Sequence, residues 1–106
     1  MEFLVEIEVQ FPSDLSDEQR SKLIADERIR GRRLCSEGII RAIWRVPGQF
    51  ANRAIWSAPD PTQLHQAITS LPLWAYSRVN VTALATHDLG EHCQGLPASL
   101  VVNDQS

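Results

Sequence analysis

The chain has 106 residues, of which 43% are hydrophobic and 22% charged, a balance typical of one globular domain rather than a disordered chain. Ten Lys and Arg against thirteen Asp and Glu give a formal net charge of −3, so binding to nucleic-acid phosphates is not expected. No apolar run approaches the roughly 20 residues of a membrane span, and two cysteines are too few for a disulfide scaffold. We therefore expect a cytoplasmic protein with no membrane association, too short to enclose a small-molecule pocket without a neighbouring subunit.

The first two predicted elements are a strand and a long helix. Apolar and polar residues alternate with a period of two over residues 2–10, which predicts a half-buried strand. Ser16 and Gln19 have the spacing of a capping box, which predicts a helix start. The helix is expected to run to about Glu37 and to stop at Gly38, because glycine suits the left-handed closing position.

The middle of the chain predicts a β-hairpin. Residues 39–46 and 50–58 are rich in strand-forming Ile, Val, Trp and Phe, and Pro47 and Gly48 form the turn between them. On the second strand, alternation places Trp44 on one face, together with Ile40, Ala42 and Val46. Arg41, Ile43 and Arg45 then share the other face.

A second helix and a fourth strand complete the domain. Asp60 and Pro61 predict the helix start, and Pro72 its end; residues 74–85 then alternate as a strand. The order β-α-β-β-α-β is the split βαβ pattern of a ferredoxin-like α+β domain over residues 1–85. Residues 86–106 are expected to form an extension that packs on its own or a neighbouring subunit, because they retain the apolar triplet Leu-Val-Val.

One acidic residue lies on the apolar face of the first helix. Leu23, Glu27, Gly31 and Leu34 are spaced by four, four and three residues and therefore share one face. A partly buried carboxyl has a raised pKa, which makes it a better proton acceptor near neutral pH. The alternative is that Glu27 lies at the edge of the face and reaches solvent or pairs with Arg30, and the residues alone favour this alternative.

The hairpin offers two polar candidates. Asn52 shares a strand face with Phe50, and an inward amide there could orient a carbonyl or carboxylate. An inward Arg45 could hold an acid through two hydrogen bonds. The alternative is that Asn52 caps the hairpin and the arginines are solvated.

The other polar residues are weaker candidates for a functional site. His65 flanks the apolar stripe of the second helix and is more typical of a boundary residue than of a catalyst. His87, His92 and Cys93 lack the paired spacing of zinc ligands, so no metal site is expected. Four arginines of the first helix are interpreted as a solvated face: Arg28, Arg30, Arg32 and Arg33.

Several segments, in their order and spacing, resemble the muconolactone isomerase family. They are residues 25–27 (ADE), 41–45 (RAIWR), 48–52 (GQFAN), 64–65 (LH) and 71–73 (LPL). The resemblance covers about residues 1–85. It implies a ferredoxin-like protomer that pairs into a dimeric α+β barrel and forms a ring-like homodecamer with sites shared between subunits. It also implies cofactor-free proton transfer on muconolactone, a small unsaturated lactone acid from catechol breakdown, with Glu27 as the base.

The chain departs from the family pattern around that glutamate. Ile24 replaces the usual lysine, Ala42 the usual histidine and Phe50 the usual tyrosine. An isomerase must remove and return a proton, whereas a dehydrohalogenase needs only a base. We therefore expect a chloromuconolactone dehalogenase that eliminates HCl from 5-chloromuconolactone to give a dienelactone. The alternatives are a muconolactone delta-isomerase and a non-catalytic ligand-binding or assembly module.

The resemblance and the residue types together assign roles in this hypothesis. Glu27 accepts the proton, and neither a cofactor nor a metal takes part. Asn52 and Arg45 orient the lactone or its acid arm. The remaining expected substrate-binding residues are three apolar wall residues, one residue from a neighbouring subunit and the family-matched histidine: Trp44, Phe50, Ile24, Trp74 and His65.

Overall fold

A computed structural model describes residues 1–90 and 92–93 of the chain. The elements in chain order are β1 (Glu2–Val9), α1 (Asp17–Ser36), β2 (Ile40–Arg45), β3 (Ala51–Ser57), α2 (Pro61–Thr69), a 3₁₀ helix (Trp74–Tyr76) and β4 (Ser77–Leu84). The strands form a four-stranded antiparallel sheet with the order β2-β3-β1-β4. The connectivity and strand order are those of the ferredoxin-like α+β fold, which confirms the predicted fold class.

The core lies between one face of the sheet and the two helices. Phe3 and Val5 of β1 pack with Leu34 of α1 and with Leu64 and Ile68 of α2 in one buried cluster. Leu34 is the one residue of α1 that is fully buried. The long helix therefore packs into the core near its C-terminal end, and its middle contributes no fully buried side chain to that core.

The predicted helix ends are confirmed. Ser16 Oγ accepts a hydrogen bond from the Gln19 backbone N–H at 3.0 Å, and Gln19 Oε1 accepts one from the Ser16 N–H at 2.8 Å. Gly38 follows the helix with a φ of 77°, the left-handed conformation that favours glycine. Asp60 caps α2 by accepting from the Gln63 N–H at 2.8 Å.

The prediction for the fourth strand is wrong at its start. Residues 74–76 form a 3₁₀ helix, and the strand begins at Ser77. The N–H groups of Trp74 and Tyr76 donate to the carbonyls of Leu71 and Leu73, three residues back, so the chain is still turning here.

The face assignment on β2 is also wrong. Ile40 pairs with Trp56 but Ala42 pairs with Ile55, so Arg41 is an extra residue, a β-bulge. Because a one-residue slip reverses every later side chain, Ile43 joins Ile40 on the helix-facing side. Strict alternation along the sequence predicts instead that Ile43 and Ile40 lie on different faces of the strand.

The C-terminal extension falls largely outside the described residues. Residues 91 and 94–106, which include the apolar triplet expected to pack on a subunit, are not among them. Within the described part of the chain, no helix has the length and apolarity that crossing a membrane requires.

Candidate active site

A cavity of about 300 Å³ lies between α1 and the helix-facing side of the sheet. This volume is at the lower end of the range of small-molecule sites in proteins. One face of α1 lines it, with the spacing i, i+3, i+4, i+7 and i+8: Ile24, Glu27, Arg28, Gly31 and Arg32. The middle of α1 therefore covers an open space rather than packed core.

Strand register determines the floor of the cavity. Asn52 of β3 pairs with Ile7 of β1 on one side and with Arg45 of β2 on the other. Four residues along β3, Trp56 pairs with Ile40. All five of these residues line the cavity. The bulge in β2 is what brings Arg45 to this face, because without it alternation from Ile40 would turn Arg45 outward.

Glu27 is the carboxylate of the cavity, and it is half-buried. Its Oε1 accepts a hydrogen bond from the backbone N–H of Leu73 at 2.9 Å. That N–H is available because Leu73 precedes the 3₁₀ helix, and the first N–H groups of a helix have no acceptor within it. Oε2 has no hydrogen-bond partner within residues 1–90 and 92–93. One oxygen therefore orients the carboxyl group, and the other is available to a ligand.

Burial controls the acidity of this group. Desolvation raises the pKa of Glu27 above its ordinary value of 4.5, and the hydrogen bond from the Leu73 N–H lowers the pKa by less. The alternative of a pairing with Arg30 is not observed, since the Arg30 Nε donates to Ser70 Oγ at 2.9 Å. Glu27 is thus an oriented carboxylate with raised proton affinity.

Two polar atoms of the floor are buried without partners. The side-chain Oδ1 of Asn52 and the Nε1 of Trp56 make no hydrogen bond within the described part of the chain. Such an atom costs about 1–3 kcal/mol of stability, so buried polar groups are almost always paired in folded proteins. Both residues line the cavity, where a ligand could satisfy them.

Three arginines line the cavity together with the carboxylate. Arg28 and Arg32 from α1 and Arg45 from β2 line the cavity and are exposed to solvent. None of the three makes an ion pair within residues 1–90 and 92–93. The charge of the lining is therefore positive despite Glu27, and it favours an anionic ligand.

At one end of the cavity, Phe50 belongs to a group of aromatic rings that contact one another. The rings of Tyr76 and Phe50 each lie 5.9 Å from the ring of Phe11, in tilted contacts. The guanidinium of Arg45 lies over Phe50, 5.6 Å from the ring centroid. Phe50 and Arg45 are thereby held together at this end.

The structure brings together five of the eight predicted site residues. These line one cavity: Ile24, Glu27, Arg45, Phe50 and Asn52. The role of each in catalysis or binding stays a prediction.

Trp44 does not line this cavity, contrary to its prediction as an apolar wall. It pairs with Arg53, whose Nε binds Glu6 Oε2 at 2.8 Å on the opposite face of the sheet. The bulge at Arg41 is the cause, since it turns Trp44 away and Ile43 inward.

His65 and Trp74 also lie outside the cavity. Both are exposed, and their rings meet edge to face with centroids 6.4 Å apart. They form an outward-facing pair, so the expectation that Trp74 reaches a neighbouring subunit's site is compatible with its position on this chain.

The lining residues that the sequence reasoning missed include two arginines, a tryptophan and a leucine: Arg28, Arg32, Trp56 and Leu73. The two arginines were assigned to a solvated face, although their spacing of four and eight residues from Ile24 places them on the same helical face as Ile24. Trp56 shares the period-two face of Asn52, which was a usable signal. The Leu73 N–H is a backbone group, and no side-chain pattern points to it.

No group of three or more His, Cys, Asp or Glu side chains is arranged to hold a metal ion within residues 1–90 and 92–93. Among the described residues that line the cavity, the ionisable side chains are Glu27 and the three arginines. The chemistry available from these side chains is therefore proton transfer by one carboxylate beside fixed positive charges.

Comparisons with known proteins identify the family. The family model described as muconolactone delta-isomerase matches residues 1–89. Muconolactone Delta-isomerase 2 of Acinetobacter lwoffii is 37% identical over 92 residues, which cover 87% of this chain and 96% of that protein. Muconolactone Delta-isomerase of Pseudomonas aeruginosa is 34% identical over the same shares.

A solved structure shows the same fold. The crystal structure of muconolactone isomerase at 3.3 Å resolution aligns with a TM-score of 0.78 and 34% sequence identity, over 83% of this chain and 92% of that chain. The chain belongs to the muconolactone delta-isomerase family, a family of enzymes.

Proposed function

We propose that the chain is a cofactor-free muconolactone delta-isomerase in which Glu27 transfers the proton. The observation that supports this most is the state of Glu27. Its carboxyl group is half-buried and accepts a hydrogen bond from the Leu73 N–H through one oxygen. The same cavity is lined by three arginines that make no ion pair within residues 1–90 and 92–93. The names of the relatives support isomerisation more directly than they support the elimination expected from the sequence.

The proposed reaction is a 1,3-proton shift. Glu27 takes a proton from a ring carbon of muconolactone, and the electrons of the broken C–H bond spread into the unsaturated lactone. The same carboxyl group returns the proton to another carbon of that system, giving an enol-lactone. One base is sufficient because the two carbons belong to one small ring, and the raised pKa of Glu27 suits both taking and returning a proton.

The positive lining matches the acid arm of the substrate. A muconolactone carries a carboxylate, and Arg45 lies at the end of the cavity where Phe50 fixes its guanidinium. Asn52, opposite Arg45 in the sheet, can donate a hydrogen bond from its side-chain Nδ2 to the same end of the ligand, while its Oδ1 is an acceptor without a partner within the described residues. We propose that these two residues orient the acid arm or the lactone carbonyl.

Elimination of HCl is the second candidate, and two observations favour it. Glu27 is the one carboxylate among the described residues that line the cavity, and elimination needs no second proton donor. At Gly31, one turn from Glu27, an added Cβ would meet nothing within 4 Å, so the cavity has room there for the chlorine on the acid arm of the substrate. In this reaction the C–H electrons form the new C=C bond as the proton goes to Glu27 and chloride leaves the adjacent carbon.

A neighbouring subunit is proposed to complete the site. Ile43 and Phe50 line the cavity yet are 44% and 40% exposed, which is unusual for large apolar side chains unless another surface covers them. This supports the dimeric barrel and the shared-site homodecamer that the family resemblance implies. Size-exclusion chromatography with light scattering measures the assembly directly, and a monomer would remove this part of the proposal.

One assay separates the candidate functions. The protein is mixed with muconolactone and, separately, with 5-chloromuconolactone, while chloride release and product absorbance are followed. Isomerised lactone without chloride supports the isomerase, and chloride with dienelactone supports the dehalogenase. Turnover of neither lactone would leave the third reading, a ligand-binding or assembly module, and would contradict the proposal.

A further inference from the structure

Trp56 is a buried residue with an unsatisfied donor. Its side chain is 1% exposed on β3, it lines the cavity, and its indole Nε1 has no hydrogen-bond partner within the described part of the chain. Its cross-strand neighbours, Phe3 and Ile40, are apolar and offer no side-chain acceptor. Within the described residues, the indole N–H therefore has no acceptor, and Trp56 lies at the boundary between the packed core and the cavity.

This arrangement is unfavourable unless something binds the N–H group. Leaving a buried donor unpaired lowers stability, and buried tryptophans usually find a partner for their N–H group. A phenylalanine at the same position would fill much of the space without that penalty. Two further buried atoms without partners, the Nε of Arg20 and of Arg41, belong to guanidinium groups with other nitrogens to hydrate, whereas indole has a single polar atom.

The position of Trp56 relative to Asn52 suggests what it binds. The two residues lie on the same face of β3, four residues apart, and both have an unpartnered polar atom. Asn52 is beside Arg45, at the end proposed for the acid arm. A ligand held there by its carboxylate and lying along β3 would extend its ring toward Trp56, in the cavity that Glu27 also lines.

We propose that the indole N–H of Trp56 donates a hydrogen bond to a lactone oxygen of the substrate. This inference rests on the proposed function of the cavity. When the base removes a ring proton, negative charge develops on the conjugated lactone carbonyl oxygen. A fixed donor in a site shielded from water stabilises that charge, and the hydrogen bond strengthens from the ground state to the transition state.

The test uses Trp56→Phe, which keeps an aromatic ring and removes the donor, with Trp44→Phe as the matched control outside the cavity. We expect kcat/KM on muconolactone to fall about tenfold or more in Trp56→Phe, mainly through kcat, since a hydrogen bond to a charged oxygen contributes about 1.5–3 kcal/mol. Trp44→Phe is expected to stay within about twofold of the parent protein. Thermal unfolding of both variants shows whether either substitution disturbs the fold.

A binding measurement makes the result independent of folding and of turnover. In the Glu27→Gln protein, saturating muconolactone is expected to shift the indole N–H resonance of Trp56 downfield, while those of Trp44 and Trp74 move little. The proposal is overturned if the Trp56 resonance stays unmoved although other cavity resonances report binding, whatever the kinetics of Trp56→Phe. Absence of both binding and turnover of the lactone would instead contradict the proposed function.

Discussion

The two halves of the helix-facing side of the sheet differ in how they are filled. In the closed half, Phe3 and Val5 meet Leu34, Leu64 and Ile68 in a fully apolar core. In the open half, the same strands and the same helix enclose a cavity of about 300 Å³. The closed half therefore supplies the packing that stabilises the fold, and the open half has room for a ligand.

The open half contains polar side-chain atoms that have no hydrogen-bond partner within the described residues. A carboxylate oxygen of Glu27, the amide oxygen of Asn52 and the indole nitrogen of Trp56 all lack a partner within residues 1–90 and 92–93. Three arginines without ion pairs lie beside them. The fold therefore tolerates polar groups without partners where the packing of the core does not depend on them. Substitutions in the two halves should consequently have different effects.

Glu27→Gln is expected to have the largest effect on activity. The amide retains an oxygen to accept from the Leu73 N–H but cannot take a proton, so kcat/KM on muconolactone should fall by about 10²–10⁴. Asp26→Asn is the matched control, because Asp26 pairs with Lys22 at 2.9 Å outside the cavity. Substantial residual activity in Glu27→Gln, or an equal loss in Asp26→Asn, would contradict the assignment of the base.

Substitutions in the two halves should lower stability by different amounts. Leu34→Ala removes a fully buried side chain of the closed half and is expected to lower the free energy of unfolding by about 2–5 kcal/mol. Ile24→Ala, on the cavity face of the same helix, should lower it by about 1 kcal/mol or less. Urea denaturation measures both, and equal losses would show that the cavity wall is packed like the core.

The pH dependence should identify Glu27 through its raised pKa. Because the unprotonated carboxylate is the active form, kcat/KM should fall as the pH decreases, with an apparent pKa above the ordinary 4.5. The folded state also binds this proton more tightly than the unfolded state does. Its contribution to stability is therefore present below pH 4.5 and is lost as the pH rises through the folded-state pKa. Both trends should be absent from Glu27→Gln, and a normal pKa in the activity profile would contradict burial of the group.

Arg45→Met should weaken substrate binding more than it slows chemistry. Removing a cation that meets the acid arm is expected to raise KM about tenfold, and the effect should diminish at high salt. Arg53→Met is the control, because Arg53 binds Glu6 on the other face of the sheet. A KM that is unchanged in Arg45→Met would place the acid arm elsewhere in the cavity.

The smallest expected effect concerns the room beside Glu27. Gly31→Ala adds a methyl group to open space, so the helix should become more stable by about 0.5–1 kcal/mol. Binding of 5-chloromuconolactone, measured as turnover or as inhibition, should weaken roughly threefold to tenfold more than that of muconolactone. Equal effects on the two lactones would show that the chlorine does not occupy this space.

Much of the fold was predictable because local patterns report it directly. The alternation in β1, the capping box at Ser16 and the Asp60-Pro61 helix start each specify one element through its own residues. The β2 bulge was not predictable, because an extra residue shows only in pairing with β3. The assignment of Trp44 therefore failed, since a single slip reverses the faces of a strand.

The site was partly predictable for the same reason. Helical spacing placed Glu27 and Gly31 on one face, and the hairpin pattern placed Asn52 with Phe50. The bond from the Leu73 N–H joins residues 46 positions apart, and only the folded chain brings them together. A long-range backbone contact of this kind has no signature in composition or periodicity.

The most direct test of the account is a crystal structure of the Glu27→Gln protein with muconolactone bound. The account predicts the lactone in the open half, with its proton-bearing ring carbon about 3–3.5 Å from the side-chain amide at position 27. Its carboxylate should lie at Arg45, and a lactone oxygen within hydrogen-bond distance of Trp56 Nε1. A lactone bound beside His65 and Trp74, or elsewhere outside the cavity, would contradict the account.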